Sequence, residues 1–122
     1  MANKRHESRD DYLETILQLS LKGNPVRSID LANAMGFSKP SISVAVKKYK
    51  EQGYLYIEST GELKLTDKGY QIASSILEKR NFLIKFFLEM GVNEEEATKT
   101  AHEIEHSISN ELFEKMKEFL KK

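Results

Sequence analysis

The 122-residue sequence has no cysteine, and no apolar run in it approaches the ~20 residues needed to cross a bilayer. Without cysteine there is no disulfide and no thiolate metal site, so any metal must be held by nitrogen and oxygen. The absence fits a reducing cytoplasm. The opening MANKRHESRD is charged and lacks the apolar core of a signal peptide. Internal repeats, low-complexity tracts and flexible linkers are missing too. Nor is there an excess of one charge sign: 19 Lys/Arg stand against 19 Asp/Glu. Residues 1–52, however, hold nine basic and six acidic side chains, and the remainder ten and thirteen. A basic segment followed by an acidic one points to an anionic partner for the first and cations for the second. Scattered surface charge is the bland reading. At 39% hydrophobic content, a core of this size is marginal unless helices pack well or two chains share it.

Periodicity supplies the elements. From Asp10 to Leu21 the apolar residues form a helical stripe, with Ser8 as N-cap and a break at Gly23-Asn24-Pro25. In VRSIDLANAMGFSKPSISVAVKKYKEQGYL, Ile29, Leu31, Ala32 and Met35 define a short amphipathic helix. Gly36 allows a tight turn, and Phe37 is expected to plug the core beneath it. Ser38 is then an N-cap and Pro40 falls in the first turn of a second helix, whose buried stripe is Ile42, Ala45, Val46 and Tyr49. Helix, glycine turn, helix is a helix-turn-helix. Two β-like runs follow, Tyr54–Glu58 and Glu62–Thr66, around Ser59-Thr60-Gly61. A hairpin in that place is the wing of a winged helix. A long helix from Asp67 to Gly91 carries a broad apolar stripe, and Phe82, Leu83, Phe86 and Phe87 read as the seed of an inter-subunit core. Asn93 caps a helix opening on three glutamates and running through HEIEHSIS. The last helix, from Asn110, is expected to turn Leu112, Phe113, Met116, Phe119 and Leu120 inward.

The second helix of a helix-turn-helix enters the major groove N-terminus first. That puts Ser38, Lys39, Ser41 and Ser43 nearest base edges and phosphates, with Pro40 able to touch a thymine methyl. Lys47, Lys48 and Arg27 suit phosphates and would give salt-sensitive affinity. No Gln, Asn or Arg lies on the reading face, so specificity leans on methyl contacts and DNA shape. Taken singly, each of these residues can equally be a cap or a solvated lysine.

HEIEH fits His-Glu-x-x-His, a zinc-peptidase pattern when it lies on a helix. On a continuous helix His102, Glu105 and His106 share one face, while Glu103 points about 100° away. Two imidazoles and a carboxylate take three positions around a divalent cation. The peptidase reading lacks a third ligand, since the 16 residues after His106 contain no histidine. No sheet precedes the helix to hold a substrate peptide. A helical face carrying two histidines by accident is the plain alternative. Asp10, Asp11 and Glu14 cluster on the first helix and are remote donors if that face meets the HEIEH helix.

With DYLETILQL, LANAMGFSKPSISVAVKKYKEQGYL, GELKLTDKG and EIEHSIS in order, the chain resembles, over nearly its whole length, the diphtheria toxin repressor-like family of metal-dependent transcriptional repressors. The resemblance implies a mainly α architecture. A winged-helix DNA-binding domain, 1–70, precedes a helical metal-binding and dimerisation domain, 71–122. It implies a homodimer on double-stranded operator DNA, activated by Mn2+ or Fe2+, with Zn2+, Co2+ or Ni2+ able to substitute in vitro. Carried over by position, the metal ligands are Asp11, Glu14, His102, Glu105 and His106. His102 stands where the family has cysteine or glutamate. Asn81 is read as replacing a metal-binding histidine, and Lys85 and Thr98 as replacing ancillary-site residues, so a second site is not expected. The resemblance is to the short members of the family, for which no SH3-like domain is expected. A cytoplasmic repressor is therefore expected, not an enzyme, with no membrane and no small-molecule substrate. A winged-helix regulator free of metal control and a zinc peptidase are the alternatives.

Overall fold

The computed structural model describes residues 4–121, with side chains from Arg9 onward. The chain divides into two compact units, one ending at Ser74 and the other beginning at Ser75. No described helix is long and apolar enough to cross a membrane.

The first unit opens with α1, Lys4–Leu21. The helix starts before Ser8, so that serine lies inside it and is not its N-cap. Tyr12, Leu13, Ile16 and Leu17 form its buried face. α2 spans Ser28–Met35 and α3 Lys39–Glu51. Between them Gly36 adopts φ 69°, a left-handed conformation that costs a glycine little, and its N–H donates to the Ala32 carbonyl at 2.9 Å. Ser38 caps α3 as expected, its side chain accepting from the Ser41 N–H at 3.3 Å. Ile42, Val46 and Tyr49 are buried. Phe37 departs from expectation. It is 48% exposed and meets only the rim of the core, its ring 6.0 Å from that of Tyr12, because the space beneath the turn is already taken by Tyr12 and Tyr49 in ring contact.

The wing is shorter than the sequence runs suggest. β1, Leu55–Ile57, pairs antiparallel with β2, Leu63–Leu65, in the register Leu55↔Leu65, Tyr56↔Lys64, Ile57↔Leu63. Leu55 and Leu63 point into the core and the alternate residues point out, which the period of two dictates. The Leu63 N–H also donates to the Val26 carbonyl at 2.7 Å, tying the hairpin to the approach to α2.

α4, Asp67–Glu89, runs through the division between the units. Thr66 starts it: its hydroxyl accepts from the Gly69 N–H at 3.1 Å and donates to the Gly53 carbonyl at 2.7 Å. Gly69 is required there, since a Cβ would lie 2.0 Å from the Tyr54 carbonyl oxygen.

In the second unit α5 spans Glu94–Ile104, with the Asn93 side chain accepting from the Glu96 N–H at 2.8 Å. The chain then tightens into a 3-10 turn, Glu105–Ser107, before α6, Asn110–Lys121. HEIEH thus straddles the end of a helix instead of lying within one. Its core is small: Ile76, Leu83, Ala97, Ala101 and Phe113 are buried, Phe113 edge-on to Phe82 at 5.3 Å. On α6 only Phe113 is fully buried. Leu112, Phe119 and Leu120 are exposed, contrary to the expectation that they turn inward, because no described element of the second unit lies beyond them. With Phe82, Phe86 and Met116 they line an apolar groove.

Candidate functional site

On the first unit, every residue expected to meet DNA is on the surface: Arg27, Ser38, Lys39, Pro40, Ser41, Ser43, Lys47 and Lys48. Two of them also have structural work. The Ser38 hydroxyl donates to that of Ser41 at 3.0 Å, closing the start of α3. Arg27 precedes α2, where its N–H donates to the Asp30 carboxylate at 2.8 Å and its Nε reaches the Thr60 carbonyl of the wing turn at 3.4 Å. Helix-turn-helix and wing are therefore bridged by a residue whose guanidinium is still exposed. Sequence reasoning missed Val44, which is 70% exposed on the outward face of α3. A branched apolar side chain kept out of the core at the centre of a reading helix is suited to a thymine methyl. Its signal was available, since it lies off the buried Ile42–Val46–Tyr49 stripe.

Asp11 and Glu14 lie on α1 of the first unit, Asp11 partly exposed and Glu14 buried. A carboxylate placed among core residues Leu13, Ile16 and Leu17 is costly to keep charged without a compensating cation or hydrogen bonds.

In the second unit the structure brings His102, Glu105 and His106 together despite the break at Ile104. The centre is Glu105, with no exposed surface at all. Its Oε2 lies 3.7 Å from His102 Nδ1 and 3.4 Å from His106 Nε2. His106 is nearly enclosed, whereas the His102 side chain is 52% exposed. Glu103 faces solvent. The helix end is held from α4, where the ammonium of the buried Lys79 donates to the Ile108 carbonyl at 2.7 Å, a cation at a carbonyl-rich terminus.

The α4 side chain at this cluster is Arg80, which the sequence did not single out; Asn81 is exposed. The Arg80 guanidinium grips Glu105 with two bonds, Nε to Oε1 at 2.6 Å and Nη2 to Oε2 at 2.8 Å. The same Nη2 meets His102 Nδ1 at 2.7 Å. The missed signal was periodic. Ile76, Arg80 and Leu83 follow the i, i+4, i+7 spacing of a buried stripe, and an arginine inside it announces a buried carboxylate.

The donor set is one carboxylate and two imidazoles, all nitrogen and oxygen. That chemistry suits Mn2+, Fe2+, Co2+ or Zn2+. The geometry disfavours the peptidase pattern: its second histidine sits on the 3-10 turn and its glutamate points away.

Two family models match the chain. Residues 5–63 match the N-terminal DNA-binding domain of iron-dependent repressors, and residues 66–122 match the metal-binding and dimerisation domain of the same proteins. The chain belongs to the iron-dependent repressor family. This bears out the resemblance to diphtheria toxin repressor-like proteins and the mainly α, winged-helix architecture. The chain is 31% identical over 118 residues to an uncharacterized HTH-type transcriptional regulator of Methanocaldococcus jannaschii, covering 95% of this chain and 94% of that one. It is 30% identical over 107 residues to the transcriptional regulator MntR of Salmonella typhimurium, covering 88% and 68%. Among solved structures, a manganese-dependent transcriptional repressor in complex with manganese superposes with a TM-score of 0.79 at 27% identity, covering 92% of this chain and 52% of that one. The manganese regulator SloR gives 0.78 at 27%, covering 93% and 53%. The chain thus spans about half the length of those two proteins.

Proposed function

We propose that this family member is a metal-dependent transcriptional repressor: a homodimer that binds double-stranded operator DNA and is activated by a divalent cation, Mn2+ or Fe2+. The observation that carries the reading is the pairing, on one chain, of a winged reading head with a buried carboxylate between two imidazoles. Residues 1–70 are assigned to DNA binding and 71–122 to sensing and dimerisation. The metal ligands are Asp11 and Glu14 from α1 and His102, Glu105 and His106 from the second unit. When bound, the cation would supply positive charge to these carboxylates and an electron-pair acceptor for the imidazoles. Metal binding biases the two reading heads of the dimer toward sites one DNA turn apart, ~34–36 Å.

Lys39, Lys47, Lys48 and Arg27 supply phosphate contacts, and Ser38, Pro40, Ser41, Ser43 and Val44 face the bases. The apolar groove of Phe82, Phe86, Leu112, Met116, Phe119 and Leu120 is the surface covered by the second copy. The protein works in the cytoplasm and catalyses no reaction.

The test uses duplexes selected from a random library by the protein with Mn2+. Metal should tighten binding to the selected duplex more than tenfold by fluorescence anisotropy. H106A should lose that stimulation and keep weak, salt-sensitive binding. A change below twofold with Mn2+, Fe2+, Co2+ and Zn2+ alike defeats the sensor reading in favour of a regulator free of metal control.

A further inference from the structure

We infer that Arg80 is a built-in counter-cation for the sensing site, and that a divalent ion binds there by displacing its guanidinium. The inference rests on the metal-sensor reading and deepens it.

Glu105 is completely buried, and a buried carboxylate must be neutralised or partnered. Arg80 does this with a two-pronged grip at 2.6 and 2.8 Å, the geometry in which a planar guanidinium matches both carboxylate oxygens. Arginine has only donors, so in the 2.7 Å contact His102 Nδ1 must be the acceptor. The imidazole is then held as the tautomer with its proton on Nε2. Both Glu105 oxygens and the His102 Nδ1 lone pair, three candidate donor positions for a metal, are thus engaged by one fixed positive charge. The guanidinium stays charged at any accessible pH, so it cannot step aside by losing a proton. A divalent ion and a guanidinium on the same carboxylate repel each other across a poorly solvated site. One must leave, and the Arg80 side chain is long, flexible and 12% exposed, whereas Glu105 is fully buried.

Two consequences follow. The sensing unit keeps Glu105 and His102 oriented without metal, because the arginine holds them in place. Metal affinity is lowered by the work of displacing Arg80, so the threshold concentration for response is set by this residue as well as by the ligands.

The experiment measures Mn2+ and Co2+ binding by calorimetry on the full chain and on R80A, R80Q, R80H and R80K, with the visible absorption of Co2+ as a second readout. R80A, R80Q and R80H should bind both ions at least fivefold more tightly than wild type. R80K, which keeps the charge, should stay closer to wild type. R80Q retains a donor for Glu105 and carries the test if circular dichroism shows R80A unfolded. If wild type binds metal and the neutral variants gain less than fivefold, Arg80 is a structural ion pair only and the inference is overturned, while the sensor reading stands. If neither wild type nor any folded variant binds either ion at millimolar concentration, the sensor reading fails and this inference with it.

Discussion

The two units solve the problem of a small core in opposite ways. The first buries Tyr12, Leu13, Ile16, Leu17, Val26, Leu31, Ile42, Val46, Tyr49, Leu55 and Leu63, contributed by three helices, a hairpin and the chain between them. The second buries two alanines and three larger apolar residues, leaves Leu112, Phe119 and Leu120 outside, and places an arginine-carboxylate pair in its centre. Apolar burial organises most of the first, which also encloses the carboxylate of Glu14. The second depends on charge neutralisation inside and on a partner outside. This is the division expected of a reading head that must keep its shape and a sensor that must respond. Their reporters are separate too: all five tyrosines lie in the first unit, and five of the six phenylalanines in the second.

The comparison is broken most severely by Glu105→Ala. Removing one partner of a buried ion pair leaves the other uncompensated, and the metal-free chain should lose about 3–5 kcal/mol in the second unit. Urea unfolding should show helicity lost early by circular dichroism while tyrosine fluorescence holds. Equal movement of both signals would mean that the units unfold as one. Gly69→Ala makes the reverse test. A methyl driven against the Tyr54 carbonyl should cost about 3 kcal/mol, seen first in the tyrosine signal. A variant as stable as wild type would show that the start of α4 shifts freely.

Phe119→Glu sharpens the contrast without touching either core. Phe119 is 72% exposed, so stability of the isolated chain should change by no more than about 0.5 kcal/mol. Self-association should weaken at least tenfold by sedimentation, and unchanged dimerisation would place the subunit contact elsewhere. The smallest effect concerns pH. Burial raises the Tyr12 and Tyr49 hydroxyls above their ordinary value, with Tyr49 raised further by Tyr12. Both contribute fully below about pH 10, where neither state ionises. Above it the unfolded chain loses its protons first, and the first unit should lose stability as pH rises. Alkaline titration followed by tyrosine absorbance should show ionisation delayed until unfolding. A simple titration near pH 10 without a structural transition would contradict this.

The elements were legible where each rests on local chemistry. Gly36, Ser38 and Pro40 mark the turn and the start of α3, and the alternation around Leu55 and Leu63 marks the wing. The site was legible in part. His102, Glu105 and His106 stand out by type, but a shared face follows from spacing only on a continuous helix, and the chain instead tightens after Ile104. Arg80 was invisible as a site residue, because an arginine on a long helix looks like any solvated charge until the stripe around it is seen to be buried. Apolarity alone points Phe37 and the α6 residues inward, but it does not say whether space remains to receive them.

The sequence by itself determined the order of helices and strands, their caps and turns, and the nitrogen-and-oxygen character of the donor set. These follow from backbone preferences and side-chain chemistry over a few neighbouring residues. Tertiary structure alone decided that Glu105 is sealed from water, that Arg80 is the cation holding it, and that α6 keeps an apolar face uncovered. Each depends on which distant residue occupies a given space, and no period within a single segment encodes that.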